Sequence, residues 1–298
     1  MSRDQALIQI RSYAKINWRL DVLGRREDGF HELRTVLQTV SLYDTLRISP
    51  AADRLEIACN DPQVPVDETN LVYKAAAALA RRAGLRPAAR ISIEKRIPVA
   101  AGLGGGSSNA AAALEGLRRF WSVRVGPEEL IEIASGLGSD VPFFLMGGTA
   151  LGVGRGEEVY PLEEVDCPWL VLANPGIAVS TAEAYKKLSR LTRKNPARIM
   201  PFALIAAKGI RELPLAATND LEQAVLAAHP EIAEVKQRLL ALGAGHALMS
   251  GSGATVFGVF DNEEASRRAA TRLRASGCWA AEVRAIDRPT YRETLFED

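Results

Sequence analysis

Apolar and polar positions alternate, incompletely, from the start of the chain. "ALIQIRSYAKINWRLDVL" (residues 6–23) keeps a partial two-residue period, "DGFH" (28–31) breaks it, and "LRTVLQTVSLYDTLRIS" and "RLEIAC" resume it. That period, bounded by turn residues, predicts strands. In "DETNLVYKAAAALARRAG" the spacing turns helical, with an acidic start and Gly84 just past the end. "ARISIEKRIP" reads as a strand ending at Pro98, and "GLGGGSSNAAAAL" (102–114) runs from a glycine loop into a helix reaching about Trp121. "GPEELIEIASGLG" predicts another helix, with proline in its first turn. "GTALGVGRGEEVYPL" predicts a hairpin, Pro161 to Pro168 a joint, and "PWLVLANPG" a buried strand. Helices follow at about 181–191, 200–211 and 219–242, then strand, loop and strand in "HALMSGSGATVFGVF". A helix, "NEEASRRAATRLRAS", and a last strand, "CWAAEVRAI", close the pattern. The order is α+β: a strand-rich first half, then helices with a few strands.

Composition narrows the function classes without choosing among them. The 298 residues are 47% hydrophobic and 24% charged, the balance of an ordinary globular protein with room for a sizeable core. Net charge is +1, from 37 basic and 36 acidic residues, which makes no electrostatic case for nucleic acid or an anionic membrane as partner. Cys59, Cys167 and Cys278 lie far apart without CxxC spacing, so neither a disulfide framework nor a zinc site is expected. The first residues, "MSRDQALIQIRSYAK", have no apolar core of signal-peptide length, and no run approaches the roughly 18 apolar residues of a membrane span. The expectation is a cytoplasmic protein; its oligomeric state is not legible.

The candidate chemistry begins at the glycine loop. A strand, a glycine-rich turn and a helix start together make an anion hole. The first helical turn has amide N–H groups without intrahelical partners, and the helix dipole adds about half a positive charge. Glycine lets the backbone approach a bulky anion. The plain alternative is a tight turn with a serine or asparagine cap. The loop is neither a GK[ST] phosphate loop nor a GxGxxG fingerprint. Three further clusters stand out. Lys15 and Asn17 lie two apart, on one face of a strand. Asp140, in "GLGSDVPFFLMGG", carries a carboxylate into an apolar segment. "LMSGSGATVFGVF" is a second glycine–serine loop between apolar strands. Each has a plain structural reading: a solvated strand face, a helix-end loop and a hairpin turn.

Taken in order, "AKIN", "PVAAGLGGGSSNAAAAL", "GSDVPFF" and "MSGSGATVFGVF" resemble the GHMP small-molecule kinases over nearly the whole chain. "GLGGGSSNAA", "REDGFHEL" and "ATNDLE" are most similar to the branch that phosphorylates the 2-hydroxyl of 4-diphosphocytidyl-2-C-methyl-D-erythritol in non-mevalonate isoprenoid synthesis. The resemblance implies an N-terminal domain over 1–161, like domain 2 of ribosomal protein S5, and a ferredoxin-like C-terminal domain over 162–298. The active site would lie in the cleft between them. The N-terminal domain of that fold includes a left-handed βαβ crossover, against the usual right-handed rule.

The resemblance also assigns residues. ATP would lie with its phosphates on Pro98, Val99, Ala100, Ala101, Gly102, Leu103, Gly104, Gly105, Gly106, Ser107 and Ser108, with Ser108 as protein ligand to Mg²⁺. Lys15 and Asp140 match the catalytic pair, and Asn17 a polar substrate residue. A carboxylate can orient the attacking hydroxyl and take its proton late, while a lysine offsets charge on the transferring phosphoryl group. Phe30 and His31 match an aromatic–His pair at the cytosine, with phenylalanine where the family more often has tyrosine, and Tyr185 falls near the aromatic of the opposite face. Two other readings remain: a sister kinase for homoserine or a mevalonate-type alcohol, and a non-catalytic binder of nucleotide or sugar on the same fold.

Overall fold

The computed structural model describes residues 7–166, 168–188 and 217–297; the helix expected at 200–211 and the end of that at 181–191 lie outside them. Two long strands, β1 (Ile8–Arg25) and β2 (His31–Ser49), form an antiparallel hairpin from Ile8↔Ile48 to Arg25↔His31. From Ser12 to Asp21 every residue of β1 is buried. Both faces of that stretch are covered, so its alternation is incomplete in sequence: Ser12, Lys15, Asn17, Arg19 and Asp21 are polar and still inside. The ladder shifts register at Tyr13/Ala14, Asn17/Arg19 and Val22/Gly24, and such bulges re-aim side chains.

The first sheet runs β12-β1-β2-β4-β3, with β3 (Leu55–Cys59), β4 (Ala89–Glu94) and β12 (Phe296–Glu297). Off this path, β5 (Thr149–Gly154) pairs with β2 and with β6 (Glu158–Pro161), and β8 (Thr218–Asn219) pairs with β1. Helices α1 (Leu71–Arg82), α2 (Gly105–Phe120) and α3 (Pro127–Leu137) build the core against it. Asn70 caps α1 by accepting the Val72 N–H at 2.8 Å. Helix α2 is buried from Ser108 to Leu114, which explains its alanines: they are small as well as helix-forming. At Gly116 a Cβ would come within 2.5 Å of Ile48 Cδ1, so glycine there sets how closely α2 approaches the sheet.

The second sheet runs β11-β7-β10-β9, all antiparallel, with β7 (Trp169–Asn174), β9 (His246–Met249), β10 (Val256–Phe260) and β11 (Trp279–Arg284). With helices between β7 and β9 and between β10 and β11, this is the β-α-β-β-α-β ferredoxin-like arrangement. The fold is thus α+β, as the sequence implies. The single helix expected at 219–242 is two, α6 (Asp220–Ala228) and α7 (Pro230–Ala241), after α5 (Thr181–Leu188). Pro230 has no N–H and restricts His229 before it, so the chain turns there and restarts with proline in the first turn. Helix α8 (Glu263–Ala275) is capped by Asn262. The two sheets meet through Trp18, Val36 and Val40 on one side and Leu172, Leu248 and Phe257 on the other, with Trp18 and Phe257 edge to face at 5.3 Å.

Besides the two-residue β8, three elements were not expected from the sequence. Helix α4 (Val141–Met146) follows Asp140 directly, and helix α9 (Arg288–Thr294) and β12 return the C-terminus to the first sheet. Buried Tyr291 donates its hydroxyl to the Phe144 carbonyl of α4. Among the described residues no helix is long and apolar enough to cross a membrane.

Candidate active site

Strand β1, the glycine loop and the residue ahead of α4 converge on one cleft of about 1300 Å³. Strand β4 ends at Glu94, short of the Pro98 expected from the sequence, and the chain beyond it coils through positive φ at Ala100, Gly102 and Gly104, the last being the N-cap of α2. The first helical bond of α2 runs from Ser108 N to Gly104 O, so the N–H groups of Gly105, Gly106 and Ser107, all on the cleft wall, have no carbonyl of the helix to meet. Lys15 donates its backbone N–H to Leu103 O at 3.0 Å, fixing strand to loop.

The side chains on β1 face the same space. Lys15 is 4% exposed; its Nζ donates to Asn17 Oδ1 at 2.8 Å and lies 3.5 Å from Asp140 Oδ2. Asn17 donates in turn to Thr35 Oγ1 at 2.7 Å. Asp140 makes no capping bond to α4, which leaves its carboxylate, 36% exposed, directed at Lys15 and the cleft. The cation thus stands beside the carboxylate, in the same cleft as the open amides of α2.

At the other end, Phe30 is more than half exposed, with the Arg155 guanidinium 5.0 Å above its ring. The His31 and Tyr185 rings stack at 5.0 Å and 22°. Burial, then the Asp140 carboxylate, pushes the Tyr185 phenol well above its ordinary range. Burial, then the Arg25 charge, lowers the His31 imidazole, which favours its neutral form. The expected residues therefore line one cleft, with one exception. Ser108 is 1% exposed, its Oγ accepts from Ser12 Oγ at 2.8 Å, and it is not among the residues lining the cleft, whereas Ser107 is.

Sequence reading missed several participants. Thr35 orients Asn17 and donates to Arg19 O at 2.7 Å, and it sits in an unremarkable strand. Arg25, Arg155 and Lys186 place positive charge at the aromatic end. Under the loop, fully buried Asp44 accepts from the N–H groups of Arg96 and Ile97 at 2.7 and 2.8 Å, from Asn109 Nδ2 at 2.9 Å and from the Lys95 ammonium. The second glycine–serine loop braces the first. Ser250 Oγ donates to Gly102 O at 3.0 Å and Thr255 N to Ala101 O at 3.2 Å. A Cβ on Gly102, at φ +77°, would lie 2.2 Å from Ser250 O. Gly102→Ala is therefore expected to cost roughly 1–3 kcal/mol, as overpacking does, seen as a fall of several degrees in Tm. An unchanged Tm would refute the close seating of the two loops.

Two family models match the chain: the GHMP kinases N terminal domain over residues 70–148 and the GHMP kinases C terminal over residues 202–277. A 4-diphosphocytidyl-2-C-methyl-D-erythritol kinase from Geobacter sp. (strain M21) is 45% identical over 281 residues, covering 94% of this chain and 99% of that protein. The kinase of the same name from Bacillus cereus (strain AH187) is 40% identical over 289 residues, 96% of this chain and 98% of the other. A crystal structure of 4-(cytidine 5'-diphospho)-2C-methyl-D-erythritol kinase superposes with a TM-score of 0.75 at 37% identity, over 92% of this chain and 98% of that one. Homoserine kinase from Cytophaga hutchinsonii, at 16% identity and a TM-score of 0.72 over 96% of each chain, shares the fold. With the glycine loop, the Lys15–Asp140 pair and "DGFH" in one cleft, and with relatives this close over this length, the chain belongs to the GHMP kinases, in the family of the 4-diphosphocytidyl-2-C-methyl-D-erythritol kinases.

Proposed function

We infer that the protein transfers the γ-phosphoryl group of ATP to the 2-hydroxyl of 4-diphosphocytidyl-2-C-methyl-D-erythritol, the ATP-dependent step of non-mevalonate isoprenoid synthesis that this family carries out. One observation carries the reading: Lys15 Nζ and Asp140 Oδ2 stand 3.5 Å apart beside the open amides of α2. The phosphates of ATP lie on the loop from Pro98 to Ser107, where backbone N–H groups and the helix dipole favour an anion. The acceptor hydroxyl sits at Asp140. Its oxygen bonds to the γ-phosphorus, the bond to the oxygen that leaves with ADP breaks, and the hydroxyl proton passes to the carboxylate. The transition state is loose, so catalysis is chiefly positioning and charge compensation. Lys15 supplies the charge, and Asn17, anchored by Thr35, holds the ammonium in place.

Mg²⁺ belongs to this reading as the companion of the phosphates. Ser108 does not fit as its ligand, because its hydroxyl is buried and bonded to Ser12. Among the described residues no three His, Cys, Asp or Glu side chains gather into a metal site. No step is therefore assigned to a protein-held metal.

The cytosine ring stacks on the exposed face of Phe30, with His31 and Tyr185 closing that end. Because Phe30 is exposed, Phe30→Ala should leave Tm within a few degrees. Base stacking on an aromatic is worth about 1–3 kcal/mol, so KM for the cytidyl substrate should rise roughly five- to 150-fold while KM for ATP holds. A stable variant with unchanged KM for that substrate removes the cytosine site. The function as a whole is tested with ATP, Mg²⁺ and three alcohols: the diphosphocytidyl compound, mevalonate and homoserine. ADP release with the first alone is expected. Release with one of the others reassigns the protein to a sister activity, and release with none makes it a binder.

A further inference from the structure

Asn219 opens "NDLE", a motif that neither the loop nor the acceptor site accounts for. It is 8% exposed, and all three of its resolved hydrogen bonds are placed. Its Oδ1 accepts the Leu221 N–H at 2.9 Å, capping α6. Its Nδ2 donates to two carbonyls of the second glycine–serine loop, Met249 O at 2.8 Å and Gly251 O at 2.7 Å. Its own backbone lies in β8, paired in parallel with β1 at Leu20↔Asn219, on the strand that carries Lys15 and Asn17. Gly251, at φ +55°, is packed so tightly that a Cβ would lie 3.1 Å from Gly102 O, 3.4 Å from Lys15 Nζ and 3.5 Å from Asn17 Oδ1. One amide thus ties the strand of the acceptor residues to the turn that presses on the phosphate loop.

We propose that Asn219 is a positioning residue of the phosphoryl transfer. Its two-carbonyl clamp holds the Gly251 turn against Gly102 and Lys15, and so sets the distance between the phosphate loop and the Lys15–Asp140 pair. The physical ground is the sensitivity of transfer to placement: an error of about 1 Å in alignment can cost about 100-fold in rate. The clamp joins Asn219, paired with β1 of the first sheet, to Met249 at the end of β9 of the second and to Gly251 beyond it, and Gly251 in turn lies against Gly102. No cap alone would require this geometry, because a serine or aspartate caps a helix about as well as asparagine. Asparagine is the one of these with an amide that donates twice.

The proposal rests on the kinase reading, and the test separates the two. In Asn219→Ser the hydroxyl can still cap α6, and both donations to the turn are lost. Asn262→Ala is the control, since Asn262 caps α8 by accepting the Ala265 N–H at 2.9 Å and is not among the residues lining the cleft. Measured are kcat and both KM values per folded molecule, Tm, and hydrogen exchange at the Gly253 and Thr255 amides, which bond to Ser250 O and Ala101 O. Expected for Asn219→Ser is a fall in kcat of roughly 10- to 100-fold, with KM for the alcohol within a few-fold and faster exchange at both amides. Asn262→Ala should lose Tm and keep kcat. If Asn219→Ser loses Tm but keeps kcat and exchange, Asn219 is only a cap and the proposal is overturned. A wild type that releases ADP with none of the alcohols overturns the kinase reading, whereas an active wild type with an indifferent Asn219→Ser overturns the positioning alone.

Discussion

Replacing Asp140 by asparagine is expected to lower kcat by about 10²–10⁴-fold, the range for loss of a general base, with the ATP dissociation constant within a few-fold of wild type. The substitution keeps the shape of the side chain and removes its charge. It should cost the fold little. The Asp140 side chain makes no capping bond to α4, it is partly open to solvent, and asparagine is equally acceptable ahead of a helix. What disappears is the partner of Lys15 at 3.5 Å and, on the proposed function, the acceptor for the hydroxyl proton. Nucleotide affinity should persist because the amides of the glycine loop are untouched. Steady-state turnover and nucleotide titration on one preparation check both halves. A variant with more than about a third of wild-type kcat would remove Asp140 from the chemistry.

The largest stability effect is expected beneath the loop. Asp44→Ala should destabilise the fold by about 3–5 kcal/mol, as breaking a buried ion pair does. At roughly 2–4 °C per kcal/mol for a chain of this order, Tm falls by roughly 6–20 °C. The Asp44 carboxylate is fully buried and gathers four donors: the Arg96 and Ile97 N–H groups, Asn109 Nδ2 and the Lys95 ammonium. Removing it strands a lysine whose side chain is 5% exposed. It also loosens the stretch between β4 and Pro98, and through Asn109 and Ser12 the first turn of α2. Asp44→Ala/Lys95→Met removes the stranded charge and should recover part of the loss. Thermal melting of both variants decides the cause. A single variant within about 2 °C of wild type refutes the account, and a double variant no more stable than the single one puts the whole cost on the lost backbone and Asn109 bonds.

The legible features and the hidden ones divide by the range of the interactions that made them. Glycine against alanine at 102–114 is a contrast between neighbours, and the structure places a coiled loop and a buried helix there. Lys15 and Asn17 are two apart on one strand, so their shared face follows from the pleat alone. Helix α4 was not legible, because "VPFFLM" is apolar on every side and six residues carry no period. Ser108 shows the limit of transferring a role along a motif. Its position in the loop suggested a metal ligand, but one residue is 100° around a helix, and that turned its hydroxyl to Ser12.

Local pattern and family motif, then, were enough for the α+β order, the glycine loop ahead of a buried helix, the pairing of a lysine with a carboxylate and the aromatic end of the cleft. They were enough because each depends on neighbours in the chain or on residues whose chemistry is distinctive wherever they fall. Three facts needed the assembled molecule. Asp44 holds Lys95 and Asn109, Asn219 clamps Met249 and Gly251, and Tyr291 returns to Phe144. Each joins segments about 30 to 150 residues apart. An ordinary aspartate, asparagine or tyrosine carries no local mark of its partner, and a buried polar atom acquires its role only when folding removes water and leaves one acceptor or donor within reach.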